Sequence, residues 1–220
     1  MHTRSFLLPL FMLLAWAPAR ASSVVAVVKS LPSASEVRIA VSWQHAWRLP
    51  SSSPPGNHDA VWLFGKYQLN GGPWQPLRLA ATQPAPLGGS LQSLPSPGGL
   101  GLFLRPASEG THAALEDSLI LQLAQPLPAG ALNLRIYATE MVYVPQGRYM
   151  LGDGASNNSL AEGGTGLPLS IENEEKLVAG TAPGQLDVLG ENSPAGDLPA
   201  AYPKGFGAFY ALKYELSQAQ

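Results

Sequence analysis

The chain of 220 residues contains no cysteine. Disulfides, thiolate metal sites and a cysteine nucleophile are therefore excluded from this sequence. A folded form must be stabilised mainly by the burial of apolar side chains.

Charged residues are also scarce, at 13% of the chain, and the formal net charge is −2. Lysine and arginine are scattered, so no basic run could contact a polyanion, and no nucleic-acid partner is expected. The hydrophobic fraction of 45% favours a chain that folds around a core. The 23 glycines and 21 prolines favour short strands and loops over long helices. The composition predicts a mainly β protein.

The N-terminus has the three parts of a secretory signal peptide. Arg4 gives a basic start, residues 6–16 are almost wholly apolar, and Pro18-Ala19-Arg20-Ala21 suits a signal peptidase. The apolar run is about half of the roughly 20 residues that a bilayer span requires. We predict a signal peptide over 1–21, cleavage near Ala21 and a secreted, periplasmic or cell-envelope protein without a membrane span. The alternative is a buried N-terminal strand or helix.

Residues 22–140 are predicted to form an antiparallel β-sandwich. Residues 36–43 alternate strictly between polar and apolar side chains, which is typical of a half-buried strand. Asn70-Gly71 is a hairpin signal between two apolar segments, and residues 82–101 are predicted to be a loop. Short strands at this spacing favour a sandwich. The predicted strands are 24–28, 36–43, 60–69, 74–79, 102–105, 119–123 and 132–138.

Three histidines follow the predicted signal: His45, His58 and His112. No pair has a metal-binding spacing. His58 and Asp59 are neighbours, so on a strand they would point to opposite faces instead of forming a base with its orienting carboxylate. The histidines are interpreted as polar loop residues.

Four tryptophans could form a platform on which sugar rings stack. Strand alternation favours a core position for Trp43 and Trp62. Trp47 and Trp74 lie near the ends of predicted loops, and both interpretations stay open for them.

Residues 141–220 are predicted to begin a second domain, with residues 139–140 as the linker. Residues 141–154 indicate two short strands with a turn at Pro145-Gln146-Gly147. Residues 155–201 have little pattern and are interpreted as a long loop insertion, with one short strand within 167–171.

Two features of this second part bear on a metal site and on the end of the domain. Asp153, Asn157 and Asn158 could be oxygen ligands for calcium, but an Asx turn is the preferred interpretation. Residues 209–216 are predicted to be a strand, and Ser217 is a good helix N-cap. Because that helix has no body in the sequence, we expect the natural chain to continue.

Two of these segments resemble a known family. Residues 141–152, Met-Val-Tyr-Val-Pro-Gln-Gly-Arg-Tyr-Met-Leu-Gly, resemble the opening of the formylglycine-generating enzyme (sulfatase-modifying factor) domain. Residues 209–220 are similar to the next element of that domain, and residues 43–48, 57–62 and 66–74 resemble the β-domain that precedes it in some bacterial secreted members. The resemblance implies an α+β, C-type-lectin-like second domain of which only the start is present.

The family's characterised enzymes oxidise a sulfatase cysteine to formylglycine through paired cysteines that hold copper. Because this sequence lacks cysteine, no catalytic, cofactor-binding or metal-binding residue carries over. Copper and calcium are implied only for a full-length family enzyme, and the implied partner is a sulfatase or another protein substrate. A second hypothesis is a non-catalytic secreted or surface protein whose sandwich binds carbohydrate or a protein partner.

Overall fold

A computed structural model describes residues 23–52 and 56–215. The predicted signal peptide and the predicted helix cap at Ser217 lie outside these residues. The mainly β prediction is confirmed, because the described chain is dominated by strands and its one helical element is a short turn, Pro97–Gly99. The strands of the main sheet are β1 (Ser23–Ser33), β2 (Glu36–Arg48), β3 (His58–Leu69), β4 (Trp74–Pro76), β5 (Leu91–Pro95), β6 (Leu102–Pro106), β7 (Gly110–Gln122), β8 (Leu132–Val144) and β13 (Phe209–Leu212).

The main sheet folds into two layers that enclose one core. In the first layer β2 lies between β1 and β7, and in the second β3 lies between β8 on one side and β4 and β6 on the other. β5 continues the second layer beyond β6, and β13 continues it beyond β8. All these pairings are antiparallel, and the two layers are joined through the pair Arg48↔His58.

The alternate apolar residues of β2 are buried, as the strict alternation predicts. Val37, Ile39 and Trp43 are 0% exposed, and Val41 is 2% exposed. They share a core with Val61 and Leu63 of β3 and with apolar residues of β6 and β7. Full burial of each such side chain stabilises the fold by about 1.5–3 kcal/mol.

The Asn70-Gly71 turn is confirmed. Both residues have positive φ, 49° and 72°, as the tight hairpin turn between two strands requires. The return strand β4 is shorter than predicted and ends at Pro76, because Leu77 and Leu79 turn into the core instead of continuing beside β3.

The loop predicted over 82–101 is wrong in part, since it contains β5. Leu91 of this strand is buried in the core, and β5 pairs along its whole length with β6. The carboxylate of Asp117 on β7 accepts hydrogen bonds from the backbone N–H groups of Gly88, Ser90 and Leu91. These bonds hold the residues that lead into β5 in place. These stabilising partners are distant in sequence, so the local composition did not indicate a strand.

The predicted linker at 139–140 falls within a continuous strand. β8 runs from Leu132 to Val144, and Glu140 pairs with Val61 of β3 without a break. The predicted strands on either side of Pro145-Gln146-Gly147 both exist but lie in different sheets. The first is the end of β8, which pairs with β13, and the second is β9 (Tyr149–Leu151), which pairs with β11 (Leu169–Ile171).

The insertion predicted over 155–201 is more ordered than a loop. It contains β10 (Leu160–Glu162), β11 and β12 (Leu186–Val188), and β10 pairs with β12. Leu169, Ile171 and Leu186 form a second small core. The strand predicted over 209–216 ends at Leu212, where the pairing with β8 stops.

Candidate functional site

The outer face of the second layer carries a set of aromatic side chains. Alternation along β3 places Val61 and Leu63 in the core, so Trp62 and Phe64 point outward and are half-buried. The prediction that Trp62 is a core residue is therefore wrong. Residues 60–64 are all apolar, so the sequence did not show which face of the strand is internal.

Seven rings on this face form one continuous chain of contacts, here called the aromatic face. Ring centroids are 4.9 Å apart for Tyr137 and Phe64, 4.8 Å for Trp62 and Phe103, and 3.8 Å for Phe103 and Tyr210. The separations of 4.9 and 4.8 Å are typical of favourable aromatic pairs, and the closer rings of Phe103 and Tyr210 are nearly parallel, at 8°. The members, in order of contact, are Tyr137, Phe64, Trp62, Phe103, Tyr210, Tyr143 and His58.

Trp62 lies over a glycine. A Cβ atom at residue 101 would be 2.7 Å from the Trp62 ring and 2.5 Å from the backbone oxygen of Leu63. Only glycine leaves this space open, so Gly101 permits the tryptophan ring to lie against the sheet.

Polar groups border the aromatic face at one end. The Arg105 side chain donates from Nε to Oε1 of Gln92 at 2.9 Å. Arg48 donates to the carbonyl oxygens of Pro106 and Ala107. The face therefore combines apolar ring surface with hydrogen-bonding groups at its edge.

His58 ends the chain of rings and is 3% exposed. Its ring stacks on Tyr143 at a centroid distance of 4.6 Å. Burial, then the charges of Arg105 and Arg48, lower the pKa of His58 to about 4. It is therefore neutral at neutral pH.

Asp59 points to the opposite face of β3, as predicted for neighbours on a strand. Its Oδ2 atom accepts a hydrogen bond from Nζ of Lys213 at 2.7 Å. The same Nζ atom is 3.7 Å from Oε2 of Glu140, which also accepts a hydrogen bond from Nε1 of Trp43 at 3.4 Å. Burial raises the pKa of Asp59, against the opposing effect of Lys213.

Within residues 23–52 and 56–215, the other histidines and tryptophans are not members of the chain of ring contacts. The prediction that the histidines are loop residues is wrong, since His45 lies in β2 and His112 in β7. His45 has a positive φ of 57°, and beyond it the buried face of β2 changes phase, so that Ala46 is buried. Trp43 is a core residue as predicted, whereas Trp47 and Trp74 are half-buried. The guanidinium of Arg135 lies 4.5 Å from the centre of the Trp74 ring.

Asp153 forms the predicted Asx turn. Its Oδ1 atom accepts hydrogen bonds from the backbone N–H groups of Ala155 and Ser156. Within residues 23–52 and 56–215, no group of three or more His, Asp or Glu side chains is placed to hold a metal ion. The same residues contain no helix whose length and apolarity would suit a membrane span.

A cleft of ≈ 1130 Å³ lies beyond the end of β8. Residues 144–149 form one wall, and Lys204, Gly205 and Phe209 contribute to the other. Both segments that carry the family resemblance therefore border the same cleft.

Comparison of the chain with protein-family models, with curated proteins and with solved structures finds no match.

Proposed function

We propose that this chain belongs to a non-catalytic exported protein whose β-sandwich binds carbohydrate through the aromatic face. The observation that carries the proposal is the continuous chain of rings on an outer face of the sheet. The outer face of an antiparallel sheet more commonly presents polar side chains to water.

The chemistry of the face suits a sugar. A pyranose ring has an apolar side of C–H groups, which packs against the electron-rich face of an aromatic ring. Its hydroxyl groups need hydrogen-bonding partners at the rim, and Arg105, Gln92 and the tyrosine hydroxyls provide donors and acceptors there. Trp62, Phe64 and Tyr137 are the proposed stacking residues, because their rings form an unbroken row.

A glycan array probed with the full chain tests this proposal. We expect binding to a restricted set of glycans and weaker binding by Tyr137→Ala. The matched control is Tyr202→Ala, since Tyr202 is also an exposed tyrosine but lies in the C-terminal segment away from the aromatic face. An array without signal, or equal weakening by the two variants, would contradict the proposal.

We also propose, as a second candidate, that the chain is the N-terminal part of an exported protein related to the formylglycine-generating enzyme. The pairing of the two resemblance segments supports it: Met141 to Val144 of β8 lie directly beside Leu212 to Phe209 of β13. A sulfatase or another protein substrate would then be the partner of the full-length protein. Copper chemistry would belong to residues beyond this sequence, which has no cysteine.

Sequencing the gene beyond the codon for Gln220 tests the second candidate. We expect a continued reading frame with a pair of cysteines, and formylglycine in a sulfatase peptide that is coexpressed with the longer product. A stop codon after Gln220, or a continued domain without the cysteine pair, would contradict the catalytic form of this candidate.

A further inference from the structure

Three side chains that are distant in sequence meet on the core face of the second layer. Asp59 comes from β3, Glu140 from β8, and Lys213 from the residue that follows β13. Asp59 is 0% exposed on its side chain, Glu140 7% and Lys213 16%. Trp43 of the opposite layer closes the group and donates its indole N–H to Glu140.

We infer that Nζ of Lys213 and the side-chain carboxyl group of Asp59 join in an intramolecular amide (isopeptide) bond, with Glu140 as the proton carrier. The amine nitrogen already lies 2.7 Å from one carboxyl oxygen of Asp59. The carboxyl carbon that would be attacked is bonded to this oxygen, so the nucleophile is held beside the group with which it would react. The other oxygen, Oδ1, is buried and makes no hydrogen bond of normal geometry, so the carboxyl group is held mainly through its contact with Lys213.

The reaction is a condensation without oxidation or reduction. Only the neutral amine can attack, so one proton first passes from the ammonium to the Asp59 carboxylate, whose pKa is raised by burial. Nζ attacks the carboxyl carbon, and a new C–N bond forms in a tetrahedral intermediate. Glu140 accepts a proton from the nitrogen and delivers it to the departing hydroxyl group. The C–O bond breaks, one water molecule leaves, and Glu140 regains its initial state.

The chain contains a second lysine–aspartate pair that is not buried and therefore serves as a comparison. Lys176 and Asp197 are also 2.7 Å apart, but their side chains are 59% and 35% exposed. Water stabilises both charges there, so the ammonium and carboxylate forms persist and no reaction is expected.

The bond would connect positions 154 residues apart. It would attach the segment after β13 covalently to the centre of the sandwich, in a chain without disulfides. A cross-link over so long a separation restricts the unfolded chain strongly.

Intact-mass measurement of the purified full chain tests the inference. We expect a mass lower by one water molecule than that calculated from the sequence of the mature chain. After trypsin digestion, a branched peptide should contain both Asp59 and Lys213, and cleavage after Lys213 should be lost. The peptides that contain Lys176 and Asp197 should be separate and unmodified.

Two variants separate the roles of the residues. Lys213→Arg keeps the positive charge beside Asp59, but its guanidinium stays protonated and cannot attack, so its mass should equal the calculated value. Glu140→Gln should remain largely without the cross-link, because the proton carrier is removed. An unmodified mass for the wild-type chain would overturn the inference, and full cross-linking of Glu140→Gln would overturn the role assigned to Glu140.

Discussion

The carboxylate of Asp117 offers a test of how the core and the strand β5 are held together. The residue is 6% exposed, and its carboxylate accepts hydrogen bonds from the backbone N–H groups of Ser90, Leu91 and Ser118, at 2.9, 3.0 and 2.7 Å. It also accepts from the backbone N–H of Gly88 and the hydroxyl of Ser90. Burial alone would raise the pKa of Asp117, but the hydrogen bonds, led by that from Gly88, lower it.

Substitution of Asp117→Asn keeps the shape but removes the charge and one acceptor oxygen. If the amide nitrogen takes the place of Oδ2, it faces the N–H of Leu91, which is buried and loses its acceptor. Hydrogen bonds to a charged group contribute about 1.5–3 kcal/mol, and an unsatisfied buried donor costs about 1–3 kcal/mol. We therefore expect the free energy of unfolding to fall by about 2–4 kcal/mol.

Urea denaturation followed by tryptophan fluorescence measures this change. The wild-type contribution is present above the ordinary pKa of an aspartate and is lost as the pH falls through the lowered pKa of Asp117. The difference between wild type and variant should therefore shrink in acid. The control is Asp153→Asn, because Asp153 is exposed and an asparagine also forms an Asx turn. Equal denaturation midpoints for wild type and Asp117→Asn at neutral pH would show that the Asp117 hydrogen bonds do not stabilise the fold.

Two further predictions concern the aromatic face and the core. The pKa of His58 is lowered from its ordinary 6.5 to about 4, so its contribution to stability is full above 6.5 and is lost as the pH falls towards 4. Between pH 7.5 and 5 this loss should be about 1–2 kcal/mol after allowance for solvent screening, and it should be absent in His58→Gln, as measured by urea denaturation at both pH values. Ile39→Ala should lower the free energy of unfolding by about 2–5 kcal/mol, because the residue is fully buried and its removal leaves a cavity. Thermal unfolding measures this loss, and Val27→Ala, at a residue 46% exposed on β1, should unfold close to wild type.

The local sequence pattern was sufficient to predict the buried residues of a strand where one face is polar and the other apolar. In β2, strict alternation identified the core residues from Val37 to Trp43 correctly. At Asn70-Gly71 the residue types themselves specify positive φ, so the turn followed from chemistry.

Local pattern failed where both faces of a strand are apolar. In β3, Val61 and Leu63 enter the core while Trp62 and Phe64 face outward, so all four neighbouring positions are apolar. Two signals were available: the aliphatic Val61 and Leu63 occupy odd positions, and the charged Lys66 lies on the same side as Trp62 and Phe64.

Long-range pairing explains the other failures. Asp59, Glu140 and Lys213 become neighbours only because β3, β8 and β13 are adjacent in the sheet, and nothing in their sequence spacing indicates it. The strand β5 depends in the same way on β6 and on Asp117 of β7.

The most direct test of carbohydrate binding by the aromatic face is a calorimetric titration of the full chain with the glycan that gives the strongest array signal. We expect saturable binding and an affinity about tenfold lower for Trp62→Ala, since one aromatic stacking contact contributes about 0.5–1.5 kcal/mol beyond the area it buries. Tyr202→Ala should bind as wild type does. Unchanged affinity of a folded Trp62→Ala variant would contradict the assignment of the site to this face.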